Sequence, residues 1–185
     1  METKRPVQQS GQEIHFDPEE FIVSKTDLRG VITYANDVFM RVSGYSEGEL
    51  IGQPHNIIRH PEMPGCVFKL AWDTLKSGRE IFAYVVNMAR NGGHYWVFAH
   101  LTPSFDAAGG CIGYHSNRRA PAADAIPKVR KLYALLRAEE ARHVERVKGV
   151  AAGHALLTRM LAEQGVSYDE FVWSLSETTR MEAAL

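Results

Sequence analysis

Cysteine is scarce: Cys66 and Cys111 are the only two in 185 residues. Two thiols cannot build a disulfide framework, nor alone a zinc or iron–sulfur site, so reduced thiols of a cytoplasmic protein are expected. An excess of either charge is lacking too. Lys+Arg number 21 and Asp+Glu 22, a formal net charge of -1. Nucleic acid and anionic membrane surfaces reward a strong basic excess, so neither is expected as the main partner. No apolar run approaches the ~20 residues of a membrane-spanning helix. The polar start Met1-Glu2-Thr3-Lys4-Arg5-Pro6 leads into no signal-peptide-like stretch, so no membrane insertion is expected. Enzyme signatures are missing as well: no Gly-x-Gly-x-x-Gly after a strand, no P-loop, no serine elbow, no His-Glu-x-x-His. His55 and His60 stand five apart in a proline-rich turn and fit no usual metal spacing. Neither an enzyme nor a metal protein is expected.

What is present is an ordinary globular composition, 45% hydrophobic and 23% charged, with eight histidines. The length suits one domain, or one domain with an appendage. Asp17-Pro18-Glu19-Glu20 has the pattern of a helix start. The β-rich runs Ile22–Thr26 and Val31–Ala35, joined by Asp27-Leu28-Arg29-Gly30, predict a hairpin. Asn36 to Gly44 predicts a short helix, and Ser46-Glu47-Gly48-Glu49 is a capping box opening another. Turns follow from Gly52 to Pro64, then an amphipathic helix from Gly65 to Lys76. Glu80–Met88, His94–Thr102 and Cys111–Asn117, separated by Asn91-Gly92 and Asp106–Gly110, predict three antiparallel strands. The sum is an α+β fold: a five-stranded antiparallel sheet with short helices on one face.

The character changes at Pro121. One helix is predicted from Ala125 to about Ala152, its stripe including Val144 and Val147, and another from His154 to Glu163. A capping box at Ser167-Tyr168-Asp169-Glu170 opens a third, carrying Phe171, Val172, Leu175 and Met181. These helices are expected to pack on the domain or on a second copy, making a homodimer. The predicted division is an N-terminal cap over 1–20, a sensor domain over 21–119 and a helical C-terminal extension over 120–185.

Leu28–Asn36 and Ser43–Gly52 resemble the opening of a PAS sensor domain. Gly52-Gln53-Pro54-His55-Asn56-Ile57-Ile58-Arg59-His60-Pro61-Glu62-Met63-Pro64, with Asn91–Val97, is similar to the signature of bacterial aerotaxis receptors. The resemblance implies a PAS fold that binds FAD and reports redox state or oxygen supply to a downstream signalling protein, whether chemoreceptor, kinase or regulator. Those receptors continue into a membrane anchor and a signalling domain; neither is expected here.

The resemblance also implies site residues. Arg59, His60 and Glu62 occupy positions the family links to FAD binding, and Asn36 a position important for the ligand-binding core, although an Asn there is also a routine helix cap. If Asn87 points inward, alternation turns Val85, Ala83 and Ile81 the same way, and Tyr95, Val97, Ala99 and Leu101 match them on the next strand. An Asn amide suits a flavin pyrimidine edge, since it both donates and accepts. Trp96, Phe98 and His100 then face a partner or the C-terminal helices. Alignment with flavin-binding PAS domains sets His115 beside flavin N5, as a histidine that can answer a redox change. Ile81 stands where the aerotaxis receptors have Trp, and Glu62 where they have Asp. His115 and His100 replace non-histidine residues, which opens an alternative: haem b with an axial histidine. A ligand-free interaction module is the third reading. A light-oxygen-voltage adduct is not expected, because Asn56-Ile57-Ile58-Arg59 lacks its cysteine.

Overall fold

The computed structural model describes residues 8–176. β1 (Ile22–Thr26) and β2 (Ile32–Ala35) form the predicted hairpin. Asn36 ends it by capping α1 (Asp37–Ser43), its Oδ1 accepting from the Phe39 N–H at 3.0 Å. Gly44, at φ 72, closes α1 in the left-handed conformation a side chain disfavours. The Ser46 capping box opens α2 (Glu47–Leu50), a 3₁₀ turn follows at His55–Ile58, and α3 runs over Gly65–Lys76. β3 (Ile81–Met88), β4 (His94–Phe105) and β5 (Cys111–Arg119) complete an antiparallel sheet in the order β2-β1-β5-β4-β3. Three helices follow: α4 (Ala125–Glu140), α5 (Arg146–Gln164) and α6 (Tyr168–Ser174).

Two local expectations are corrected. Asp17–Glu20 makes a single turn, closed by the Glu20 N–H on the Asp17 carbonyl at 3.0 Å, rather than a helix. β1 begins two residues later, and one turn does not offset the cost of helix nucleation. The long helix of 125–152 is broken at 141–145. The reason is close packing: a Cβ on Gly149 would lie 2.5 Å from the Glu140 carbonyl oxygen, and one on Gly153 would lie 3.1 Å from Cys66 Sγ. The two glycines let α5 fold back onto the end of α4 and onto α3. Val144 and Val147 thereby leave the apolar stripe, at 105% and 81% exposure. Met181 lies outside the described residues.

The register fixes two faces. On the inner face, Ile81, Ala83, Val85 and Asn87 stand opposite Leu101, Ala99, Val97 and Tyr95. On the outer face, Phe82, Tyr84 and Val86 stand opposite His100, Phe98 and Trp96. The C-terminal helices of the same chain cover that outer face. Trp173 of α6 packs at 4.9 Å from Phe82 and 5.1 Å from Phe98, and the Tyr133 hydroxyl of α4 donates to the Tyr84 carbonyl.

α3 joins the two layers. Its N-terminal N–H groups, Gly65 and Cys66, donate to the Glu140 carboxylate at 3.0 and 2.7 Å. This carboxylate does the work of a missing N-cap side chain from 74 residues away. It also pushes the Cys66 thiol pKa up, as burial does more strongly. Replacing Glu140 by alanine should cost about 1–2 kcal/mol of unfolding free energy, the usual range for a lost cap. Chemical denaturation checks this, and an unchanged midpoint would remove the clamp from the account.

Candidate functional site

A cavity of about 340 Å³ lies between the inner sheet face and the helices. Its walls follow from local sequence. α3 contributes Phe68, Ala71, Trp72 and Leu75, a stripe at helical spacing. The 3₁₀ turn contributes His55, Ile58 and Arg59, and β3 and β4 contribute Val85, Asn87, Ala99 and Leu101. β1 and β5 add Ser24, Tyr114, Ser116 and Arg118. Trp72 meets Tyr114 edge-on at 5.2 Å, so the end formed by α3 is aromatic.

The opposite end is polar and positively charged. Arg118 is 2% exposed, and its Nη2 donates to Ser24 Oγ at 2.7 Å. Ser24 Oγ lies 3.0 Å from His55 Nε2. Arginine only donates, so the arrangement that uses every proton has the Ser24 hydroxyl donating onward to a neutral His55. Burial, and then the nearby Arg118 charge, hold the His55 pKa down at about 3, which agrees with that neutral form. Burial lowers the Arg118 pKa to about 10. The Arg118 guanidinium also lies over the Phe39 ring, 4.4 Å from its centroid.

Several donors around this cavity find no acceptor among the described residues. They are Arg59 Nε, Asn87 Nδ2, Ser116 Oγ, and Nε and Nη1 of Arg118, and His115 Nε2 is a further polar atom there without a partner. No Asp or Glu lines the cavity. A buried donor left unsatisfied costs about 1–3 kcal/mol, more when charged. Such a wall suits a ligand rich in acceptors or carrying negative charge.

The predicted residues divide. Arg59, Val85, Asn87 and Ala99 line the cavity. Ile81, Ala83 and Val97 share their face and are buried without lining the cavity; Ile81 packs with the wall residues Ala71, Leu75 and Tyr114. Asn36 is fully used by the backbone. It accepts from Val23 and Phe39 and donates to the Phe21 carbonyl, so it acts as the helix cap. His60 is buried away from the cavity, 3.1 Å from Gln9 Nε2 and with its ring 5.6 Å from that of His94. Glu62 is exposed, and its N–H donates to His60 Nδ1 at 3.2 Å.

His115 is also among the residues around the cavity. It lies along the cavity wall, but its register partners are Thr102 and Lys25, so its side chain belongs to the outer face. Burial and then the Lys25 and His100 charges lower its pKa, and both of those residues are on that same face. Its neighbours Tyr114 and Ser116 point inward instead. His100 also lies outside, stacked on Phe82 at 4.2 Å with Nε2 2.8 Å from Glu80. Of the two histidines that suggested haem, His115 is at the cavity wall and His100 is not, and Nε2 of the third histidine nearby, His55, is engaged by Ser24. Sequence reasoning missed Ser24, His55, Trp72 and Arg118. The available signals were a charge at inward parity on β5 and an aromatic in the apolar stripe of α3.

Residues 32–118 match the family described as PAS fold. That segment has the PAS fold. It is similar to the Aerotaxis receptor of Escherichia coli (strain K12), at 45% identity over 117 residues, which is 63% of this chain and 23% of that protein. It is also similar to the Nitrogen fixation regulatory protein of Klebsiella pneumoniae, at 33% identity over 52% of this chain and 20% of the relative. The chain thus spans about a quarter or less of the length of these two relatives. Among solved structures, the light state of the blue-light photoreceptor Aureochrome1 LOV overlays 63% of this chain and 89% of its own, with TM-score 0.52 and 18% identity. A light-oxygen-voltage domain studied with a flavin analogue overlays 66% and 87%, with TM-score 0.51 and 20% identity. At such identities these overlays speak for the PAS fold alone. Among the described residues, no helix is long and apolar enough to cross a membrane.

Proposed function

We propose that this PAS domain is a flavin-binding sensor, with FAD as its cofactor, that reports redox state or oxygen supply to a partner protein from the cytoplasm. The observation that carries the reading is the set of acceptorless donors around a cavity without a carboxylate. An oxidised flavin ring presents carbonyl oxygens and ring nitrogens as acceptors at one end and a flat apolar body at the other. Arg118, Asn87 and Ser116 would meet the polar end, and Trp72, Leu75 and Leu101 the apolar body. Bound flavin would supply the reversible electron chemistry. Arg118 favours a ring carrying negative charge, and the hydroxyl between it and His55 can turn when a ring nitrogen changes from acceptor to donor. The similarity to an aerotaxis receptor supports a sensory rather than a catalytic role.

The absorption spectrum of the purified protein tests this. The visible bands of an oxidised flavin are expected. A Soret band would replace flavin with haem, and a colourless, fully folded preparation would leave the ligand-free interaction module. Replacing Asn87 by alanine removes an inward donor and should lower flavin affinity roughly tenfold, the value of a good hydrogen bond to a bound ring. Unchanged occupancy after dialysis would contradict the placement of the ring.

A further inference from the structure

A second cavity, of about 390 Å³, opens beside the first and shares Arg59 and Phe68 with it. Its far wall is Arg146 and Val150 of α5, outside the PAS domain. Arg59 forms the partition: its guanidinium lies 4.2 Å from the Phe68 ring centroid, and its Nε is buried without a partner. Arg146 is near enough to depress the Arg59 pKa, after burial itself. Two like charges brought together in this way repel. Neither arginine forms an ion pair among the described residues, while nine other lysines and arginines do. The acid lining this cavity, Glu140, has both oxygens committed to the Gly65 and Cys66 N–H groups.

We propose that Arg59 and Arg146 together hold a diphosphate group, that of a dinucleotide whose ring occupies the first cavity. The inference deepens the flavin reading and rests on it. A cavity of about 340 Å³ is at the small end of ligand sites, roughly 300–1,000 Å³, and takes a ring system but not a whole dinucleotide. The rest of the molecule must leave it somewhere. The Arg59 side leads into a space whose facing cations match a doubly charged linker. Guanidinium groups suit phosphate oxygens because their paired N–H groups bind two oxygens at once. A cofactor held in this way would touch both the PAS domain and α5, so the helical extension would be part of its site.

The test is a titration of cofactor-stripped protein with riboflavin, FMN and FAD, read by quenching of flavin fluorescence. Wild-type protein should bind FAD at least tenfold more tightly than riboflavin. Arg146→Gln, an exposed position whose change leaves the core intact, should cut that preference about tenfold and leave riboflavin affinity unchanged. Equal affinities for riboflavin and FAD in the wild type, or a preference untouched by Arg146→Gln, overturns the proposal. If no flavin binds at all, the cofactor reading itself has failed. The arginine pair is then judged with inorganic pyrophosphate. A raised melting temperature in the wild type but not in Arg146→Gln supports the diphosphate site, and no shift in either overturns it.

Discussion

Replacing Arg118 by methionine should stabilise the cofactor-free protein and, in the same variant, weaken its hold on flavin. The two effects have one origin. Arg118 is a guanidinium buried with a hydroxyl as its hydrogen-bond partner and two nitrogens without any. Desolvating a charge costs several kcal/mol, and only an acceptor or a counter-charge offsets it. Methionine has a similar length, packs against Phe39 and carries no such penalty. A gain of about 1–3 kcal/mol in the stability of the empty protein follows, in line with other replacements of buried charge by apolar residues. The same change removes a charge-assisted donor from the proposed flavin site, for a loss of roughly 10- to 100-fold in affinity. Thermal unfolding of stripped protein and flavin titration read the two sides separately. An arginine serving structure alone would give the reverse: lower stability through the loss of the Ser24 and Phe39 contacts, with flavin affinity unmoved.

Acid should loosen the fold through His55. Its folded pKa of about 3 lies below the ordinary 6.5, so between those values the unfolded chain binds a proton that the native protein refuses. The stability linked to His55 is therefore complete above pH 6.5 and is lost as pH falls toward 3. The slope approaches about 1.4 kcal/mol per pH unit within that window. His60 and His115 are also depressed by burial and add to the trend, so the informative quantity is a difference between proteins. His55→Gln should show a flatter loss of melting temperature between pH 6.5 and 4 than the wild type. Parallel curves would mean that His55 is not held neutral.

Much of the fold was legible because its signals are local. Asn36 and Gly44 bound α1, Ser46 and Ser167 open their helices by capping boxes, and strict alternation from Ile81 to Asn87 sets the inward face of β3. Where the deciding contact is distant in sequence, the reading failed. The break between α4 and α5 depends on Gly149 and Gly153 meeting Glu140 and Cys66, and nothing in the apolar stripe announces it. β5 is the sharper case. Its inward residues include Ser116 and Arg118 and its outward ones Asn117 and Arg119, so no apolar alternation distinguishes the faces. Pairing with Leu101 and Ala99 sets Ser116 and Arg118 on the inward face, and His115 next to Ser116 pairs with Thr102. His55 carries no local signal either, since its partner Ser24 is 31 residues away. His60 meets Gln9 of the N-terminal segment and lines the second cavity, and Glu62 is exposed beside it.

α3 is held on both sides: Phe68, Ala71, Trp72 and Leu75 form a wall of the cavity, and Gly65 and Cys66 are clasped by Glu140. A single rigid rod therefore belongs to two equilibria. If filling the cavity displaces the rod and shifts the seat of α4 and α5, linkage requires the converse by the same factor. A protein that gripped those helices and moved the rod would change how tightly the cavity holds its occupant. The listener, on this view, also sets the sensitivity of the sensor.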